Sequence, residues 1–192
     1  MARYGSEHKP ATRQRIIEVA GRRLKLDGID GSGVATLMKD AGLTNGAFYS
    51  HFASKDDLVA TTIADQLSSQ RAELQSATID GLGIERFVRN YLSVEHRDNP
   101  GEGCPSAALL DEVGRSSEVT RAAYTEGIMA IVDHISAILG PEDLPAARLR
   151  TLGAMASMIG TMQMARAITD RHLTASLLEQ GIENTLALLA VD

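Results

Sequence analysis

Residues 42–58, GLTNGAFYSHFASKDDL, constrain the fold more than any other part of the chain. The stretch before them, Val34 to Ala41, places Val34, Leu37, Met38 and Ala41 at helical spacing. It stops at Gly42, which is suited to the left-handed turn that ends a helix. Thr44 is a good N-cap for a second helix, expected from about Asn45 to Phe52. Ser54 then caps a further helix, with Asp57 three residues on. That is capping-box spacing, although Asp is shorter than the usual Glu or Gln. Phe48 and Phe52 share one face of the short helix and should pack inward. Asn45 and Tyr49 lie one turn apart on the other face. Two helices joined by a tight turn, with a third close behind, leave no room for a strand here.

The chemistry of the short helix follows from its position. Helix N-termini attract phosphate, and Thr44 stands at one. Gly46 lets the backbone approach a partner closely, at about 1 kcal/mol of helix stability. Lys55, in the first turn of the next helix, opposes the helix dipole, and a phosphate partner would resolve that conflict. The plainer alternatives are a surface-packed Tyr49 and a solvated Lys55. The combined spacing favours a helix-turn-helix, whose second helix lies in the major groove of DNA.

Apolar periodicity continues through the chain. Residues 1–9 have none and read as a mobile arm carrying Arg3 and Lys9. Ile16, Ile17, Ala20 and Leu24 form a helical stripe from Thr12 that stops at Gly28. Leu58, Ile63, Leu67 and Leu74 mark a long helix to about residue 77, with a break at Gly81-Leu82-Gly83. Further helices are expected at about 84–97, Pro105 to Val113, 117–139, 146–170 and 174–190. The fold class is all-α.

The segment GLTNGAFYSHFASKDDL, with VATLMKDAG before it, closely resembles the signature of the tetracycline-repressor (TetR) family of bacterial transcription regulators. The resemblance covers roughly residues 10–65. It implies an N-terminal three-helix helix-turn-helix DNA-binding domain, residues 9–69, and a helical ligand-binding and dimerisation domain, residues 70–192. Thr44, Tyr49, His51 and Lys55 would contact phosphates, while Asn45, Gly46 and Ala47 would meet base edges. Leu37, Ala41, Leu43, Phe48 and Phe52 would hold the domain together. The implied partners are a double-stranded palindromic operator, a second copy of the chain and a small-molecule effector. Two positions depart from the pattern. Gly33 stands where Thr or Ser is frequent, which leaves Ser32 to cap the second helix. Ala35 replaces a base-contacting Arg of some members.

Charge distribution agrees with this reading. The net charge is −6, yet residues 1–58 carry +2 and the remainder −8, an asymmetry that suits a nucleic-acid end on an acidic body. The single cysteine, Cys104, excludes an intrachain disulfide and fits a reducing cytoplasm. No signal peptide opens the chain and no apolar run reaches membrane-helix length, so no membrane partner is expected. There is no Walker loop, dinucleotide fingerprint or cysteine pair. The neighbours Glu95-His96 and Asp133-His134 lack helical metal-ligand spacing. Neither cofactor, metal nor catalytic residue is expected. The alternative function is a small-molecule-binding helical protein without operator binding, and a helical enzyme comes third.

Three features of the second half carry expectations. Gly153, Ala156, Ser157 and Gly160 put small residues on one helical face, beside an apolar stripe of Leu178, Ile182, Leu186 and Leu189. The family pairs its last two helices across a two-fold axis, so these read as the dimer interface. Phe87, Tyr91, Leu110, Tyr124, Ile128, Met158 and Met162 are candidate liners of an apolar effector pocket, with Gln163, His134 or Arg166 as polar fixers. Cys104 lies in GEGCPSAALLDEV, which resembles a Gly-Cys stretch of some family members. It would sense oxidants or electrophiles only if a positive field stabilised its thiolate, and Glu102, Asp111 and Glu112 argue against one.

Overall fold

The computed structural model describes residues 4–77 and 83–189, the side chains of residues 4–8 excepted. Among the described residues the chain is all-α, with no strand. The helices are α1 (Tyr4–Asp27), α2 (Val34–Asp40), a 3₁₀ helix (Asn45–Ser50), α3 (Lys55–Ala77) and α4 (Gly83–Tyr91). They continue as α5 (Val94–Asp98), a 3₁₀ turn (Pro100–Glu102), α6 (Pro105–Arg115), α7 (Glu118–Leu139), α8 (Leu144–Ala167) and α9 (Arg171–Leu189).

Two features differ from the sequence reading. Helix α1 starts at Tyr4, not Thr12, and runs through Pro10. Of the expected mobile arm, residues 1–3 lie outside the described residues, as do Gly81 and Leu82 of the expected break. The helix expected at 84–97 is two helices, because Ser93 adopts an extended conformation and its hydroxyl caps the amide of His96.

The N-terminal unit closes over Ile16, Ala20, Leu24, Leu37, Met38, Phe48 and Phe52, all at 2% exposure or less. Each such side chain contributes about 1.5–3 kcal/mol by leaving water. Helix α3 starts in this unit, packs on α1, and runs on to pack against α7 in the body. Glycines allow both approaches: a Cβ at Gly21 would strike Gln66, and one at Gly127 would strike Leu67. The body is completed by α8 against α7 and α9. Helix α7 is the one described helix long and apolar enough to cross a membrane by length and composition, although no run so long was expected there. It carries Arg121, Glu126 and Asp133, and Asp133 receives a bidentate contact from Arg148 of α8 at 2.6 and 2.8 Å.

The stripe Leu178, Ile182 and Leu189 is buried inside this chain, with Leu186 half-buried beside it. It is intrachain core and not the outer face expected of it, because α9 packs on both α8 and α4, with Leu178 and Ile182 beside Leu92 and Val94. The outward apolar face belongs to α8 itself, through Leu149, Leu152, Gly153, Ala156 and Met164, with Leu188 exposed on α9. Nothing lies within 4 Å of a Cβ built on Gly153 or Gly160.

Candidate nucleic-acid interface and junction cleft

The turn before the short helix is closed entirely by backbone. Gly42 has φ +70°, its amide donates to Lys39 O at 2.9 Å, and the Leu43 amide donates to Met38 O at 2.8 Å. This double bond pattern satisfies the last carbonyls of α2 and requires the left-handed residue. Thr44 holds the N-cap position in extended conformation, but its side chain makes no capping bond and stays exposed.

The short helix then rests on its aromatics. Phe48 stacks on Phe52 with centroids 5.8 Å apart, and the Arg13 guanidinium lies 4.6 Å over the Phe52 ring. Tyr49 meets Phe48 edge-on and is 74% exposed, an unusual cost for so large a ring without a partner. Asn45 and Gly46 are exposed and Ala47 half-buried. A Cβ on Gly46 would meet nothing within 4 Å, so nothing inside the chain requires a glycine there. His51 is half-buried, its Nδ1 is buried without a partner, and burial followed by the nearby Lys9 and Arg13 lowers its pKa. Ser54 and Asp57 form the expected reciprocal cap: the Asp57 amide donates to Ser54 Oγ at 3.1 Å, and the Ala53 amide donates to Asp57 Oδ2 at 2.9 Å.

Two readings of single residues change. Ser32 does not cap α2, since its buried hydroxyl donates to Gly28 O at 2.7 Å and Gly33 occupies the cap without a side chain. Lys55 is not poised for solvent: its ammonium donates to Ile29 O at 2.5 Å. The same peptide linkage region is held from the other side by Glu112 of α6. Its carboxylate accepts from the Ile29 amide at 2.7 Å and the Asp30 amide at 3.2 Å. Gly28 makes this possible twice over, with φ +80° and with the Glu112 carboxylate at 2.8 Å from where a Cβ would stand.

A cleft of about 990 Å³ opens where α1, α3 and α4 meet the segment from Ser93 to Pro105. Of the residues expected to line an apolar pocket, Phe87 and Tyr91 line this cleft, while Leu110, Tyr124, Ile128, Met158 and Met162 do not. Met158, Met162 and Ile128 are packed into the core, Leu110 is half-buried against it, and the Tyr124 hydroxyl is 3.1 Å from Ser106 Oγ. Among the expected polar fixers, Gln163 is exposed, His134 is half-buried on α7, and Arg166 donates to the carbonyls of His96, Arg97 and Ala107. Close packing of the methionines leaves the open space on the polar side of the body.

His96 pins the cleft floor. Its Nδ1 lies 2.6 Å from Tyr91 O, which fixes the proton there and leaves Nε2 to accept the Cys104 amide at 3.0 Å. Burial is the main cause that lowers its pKa, with Arg166 and Lys25 adding to it against the Tyr91 carbonyl. Cys104 is buried at the start of α6, with Sγ donating to Gln70 Oε1 at 3.4 Å. Its amide is held by His96 Nε2, and the Arg166 guanidinium, bound to the carbonyls of His96 and Ala107, lies against the same turn.

Comparison with known proteins now bears on this geometry. Residues 16–62 match the family described as bacterial regulatory proteins, tetR family. This segment of the chain is of the TetR type. It is 40% identical over 97 residues to the HTH-type transcriptional regulator AcrR of Shigella flexneri, covering 49% of this chain and 41% of that one. It is 24% identical over 120 residues to the HTH-type transcriptional regulator LmrA of Bacillus subtilis (strain 168), covering 60% and 64%. The chain thus spans less than two thirds of the length of these relatives. Its fold resembles the crystal structure of the reduced form of E. coli NemR, with a TM-score of 0.75 at 20% identity over 93% of this chain and 97% of that one. A TetR-family regulator from Agrobacterium tumefaciens gives 0.73 at 21% identity over 92% and 98%. The TetR match falls on the helix-turn-helix, and the fold likeness extends through the helical body.

Proposed function

We propose that this chain is a ligand-responsive transcription regulator of the TetR family, a repressor that grips a palindromic operator as a homodimer and releases it when a small molecule binds. Residues 9–69 serve as the DNA-binding domain and 70–192 as the ligand-binding and dimerisation domain. The observation that carries the reading is the short helix, polar and exposed at Thr44, Asn45, Gly46 and Tyr49 while Phe48 and Phe52 anchor it to a closed core. Asn45, Gly46 and Ala47 meet base edges, and Thr44, Tyr49 and His51 contact phosphates. Lys55 reaches a phosphate by giving up the Ile29 carbonyl.

The outer face of α8, with Leu188 of α9, supports the dimer. Exposed leucines beside glycine and alanine let two helices approach closely and bury apolar surface. Two recognition helices on a two-fold axis then meet successive major grooves roughly 34–36 Å apart. An effector shifts this arrangement only by preferring one state over the other. The test is a gel shift with the DNA upstream of the chain's own gene, repeated with Asn45→Ala. Specific binding lost or re-specified in the variant supports the assignment. No specific binding by the intact dimer would favour the helical small-molecule-binding alternative.

A further inference from the structure

We propose that the junction cleft is the effector site, and that it takes a small aromatic carboxylate carrying a hydroxyl group. The regulatory meaning rests on the function proposed above, but the binding itself does not. Three observations converge on this chemistry. The first is a pair of buried polar atoms without partners among the cleft residues, the Tyr91 hydroxyl and the Gln66 side-chain carbonyl. Tyr91 is 5% exposed, burial raises its pKa, and its hydroxyl has only the Cys104 thiol nearby, a weak partner that leaves it without a well-formed hydrogen bond. Buried polar groups are nearly always satisfied, so one donor and one acceptor left over just beneath the cleft wall suit a molecule with one acceptor and one donor that presses into that wall.

The second observation is charge. Lys25 is half-buried, desolvation lowers its pKa, and its hydrogen bond goes to the neutral Gly103 carbonyl at 2.7 Å. Glu102, the nearby acid on the same segment, pairs instead with Arg22 at 2.6 Å. Arg166 behind the floor is likewise held by carbonyls. Lys25, the partly desolvated cation that lines the cleft and faces only a carbonyl oxygen, favours an anionic oxygen as the ligand's acceptor. The acids along the cleft, Glu18, Asp65, Glu73 and Glu95, with Glu102 paired to Arg22, disfavour multiply charged anions, while a monoanion beside the half-buried Lys25 is poorly screened. The third observation is the ring of Phe87, 6.1 Å from that of Tyr91, which supplies an aromatic wall. Because Lys25 and Arg22 belong to α1, such a ligand touches the DNA-binding unit and the body at once.

The probes are 4-hydroxybenzoate, benzoate and 4-methylphenol, measured by calorimetry and thermal melting without DNA. The expected order of affinity is 4-hydroxybenzoate, then benzoate, then 4-methylphenol. Tyr91→Phe should bind 4-hydroxybenzoate about tenfold more weakly. The same variant, unliganded, should melt at or above the wild-type temperature, since it removes an unsatisfied buried hydroxyl. Lys25→Met should erase the preference for the carboxylates over 4-methylphenol. The proposal is overturned if no carboxylate binds at millimolar concentration, if 4-methylphenol binds as tightly as 4-hydroxybenzoate, or if Tyr91→Phe destabilises the free protein and leaves binding unchanged. Gel shifts read the DNA-binding proposal separately, so either reading can fail while the other stands.

Discussion

Two faces of the molecule lie open, and their chemistries are opposite. The tip formed by Thr44, Asn45, Gly46 and Tyr49 is polar, with one aromatic ring standing on a buried pair. The outer face of α8 is apolar and smooth, made of leucines and small residues. A hydrated, charged partner is recognised by hydrogen bonds that a rigid support aims, so the tip is short and its anchors are fully buried. On the proposed function a second copy is recognised by area and close approach, which suits the glycines of α8 where nothing of its own chain needs the space. The contrast assigns different partners to the two faces and predicts that damage to one leaves the other's intrinsic chemistry intact.

The largest expected effect comes from the apolar face. Gly160→Phe should convert the dimer to a monomer at micromolar concentration in analytical ultracentrifugation. It should also weaken operator binding by about 100-fold through loss of the second half-site. The free space at Gly160 means the monomer itself should keep its helix content by circular dichroism. Dimers persisting in this variant would move the interface elsewhere.

Next in size are changes to the polar tip, all with dimerisation unchanged. Asn45→Ala should alter base preference by about 1–3 kcal/mol if it makes a bidentate contact. Binding titrations against operators varied one base at a time would show it. Tyr49→Phe should weaken every sequence alike, by about 1 kcal/mol, with the salt dependence preserved because no cation is lost. Lys55→Met separates two roles: if the ammonium leaves Ile29 for a phosphate, the salt slope should fall by about 0.9. An unchanged slope would keep Lys55 at the loop.

The smallest effect is on pH. The pKa of His51 in the free protein is lowered by burial and by Lys9 and Arg13, and a bound phosphate opposes that shift. The DNA complex therefore binds more protons than the free protein, and affinity should rise as pH falls through the region below about 6.5. The gain should stay under about tenfold and vanish in His51→Gln. Thermal stability should move the opposite way in the same window. His96 and His51 are held neutral by the fold, so their contribution is complete above about pH 6.5 and is lost as pH falls towards their lowered values.

The tip was readable from sequence because everything that shapes it is local: a left-handed glycine, two aromatics one turn apart and a cap within five residues. The long helices were readable because their buried faces repeat. Residues 4–11 of α1 were missed since they bring only Tyr4 and Ala11 as non-polar side chains beside Pro10, and so mark no stripe. The cleft was not legible because it is assembled across the chain. Lys25 meets Gly103, Cys104 meets Gln70, and Arg166 meets His96, at sequence separations of 78, 34 and 70 in order. No periodicity records such meetings, and methionine composition pointed to a space that the methionines in fact fill.

The grip on Ile29 has a mechanical consequence. A single peptide strand is riveted on its amide side to α6 and on its carbonyl side to the first turn of α3, immediately after the short helix. The rivet is main chain, so the side chain at position 29 does not carry it, and the residues that set its tightness are Gly28, Lys55 and Glu112. Any sideways travel of α6 must either stretch those bonds or drag the loop and α3 with it. The start of α6 forms part of the cleft, and its carboxylate at Glu112 lies two turns further along the same helix. Helix α6 thus has one end at the cleft and the other fastened beside the segment proposed to face DNA, the arrangement of a short crank.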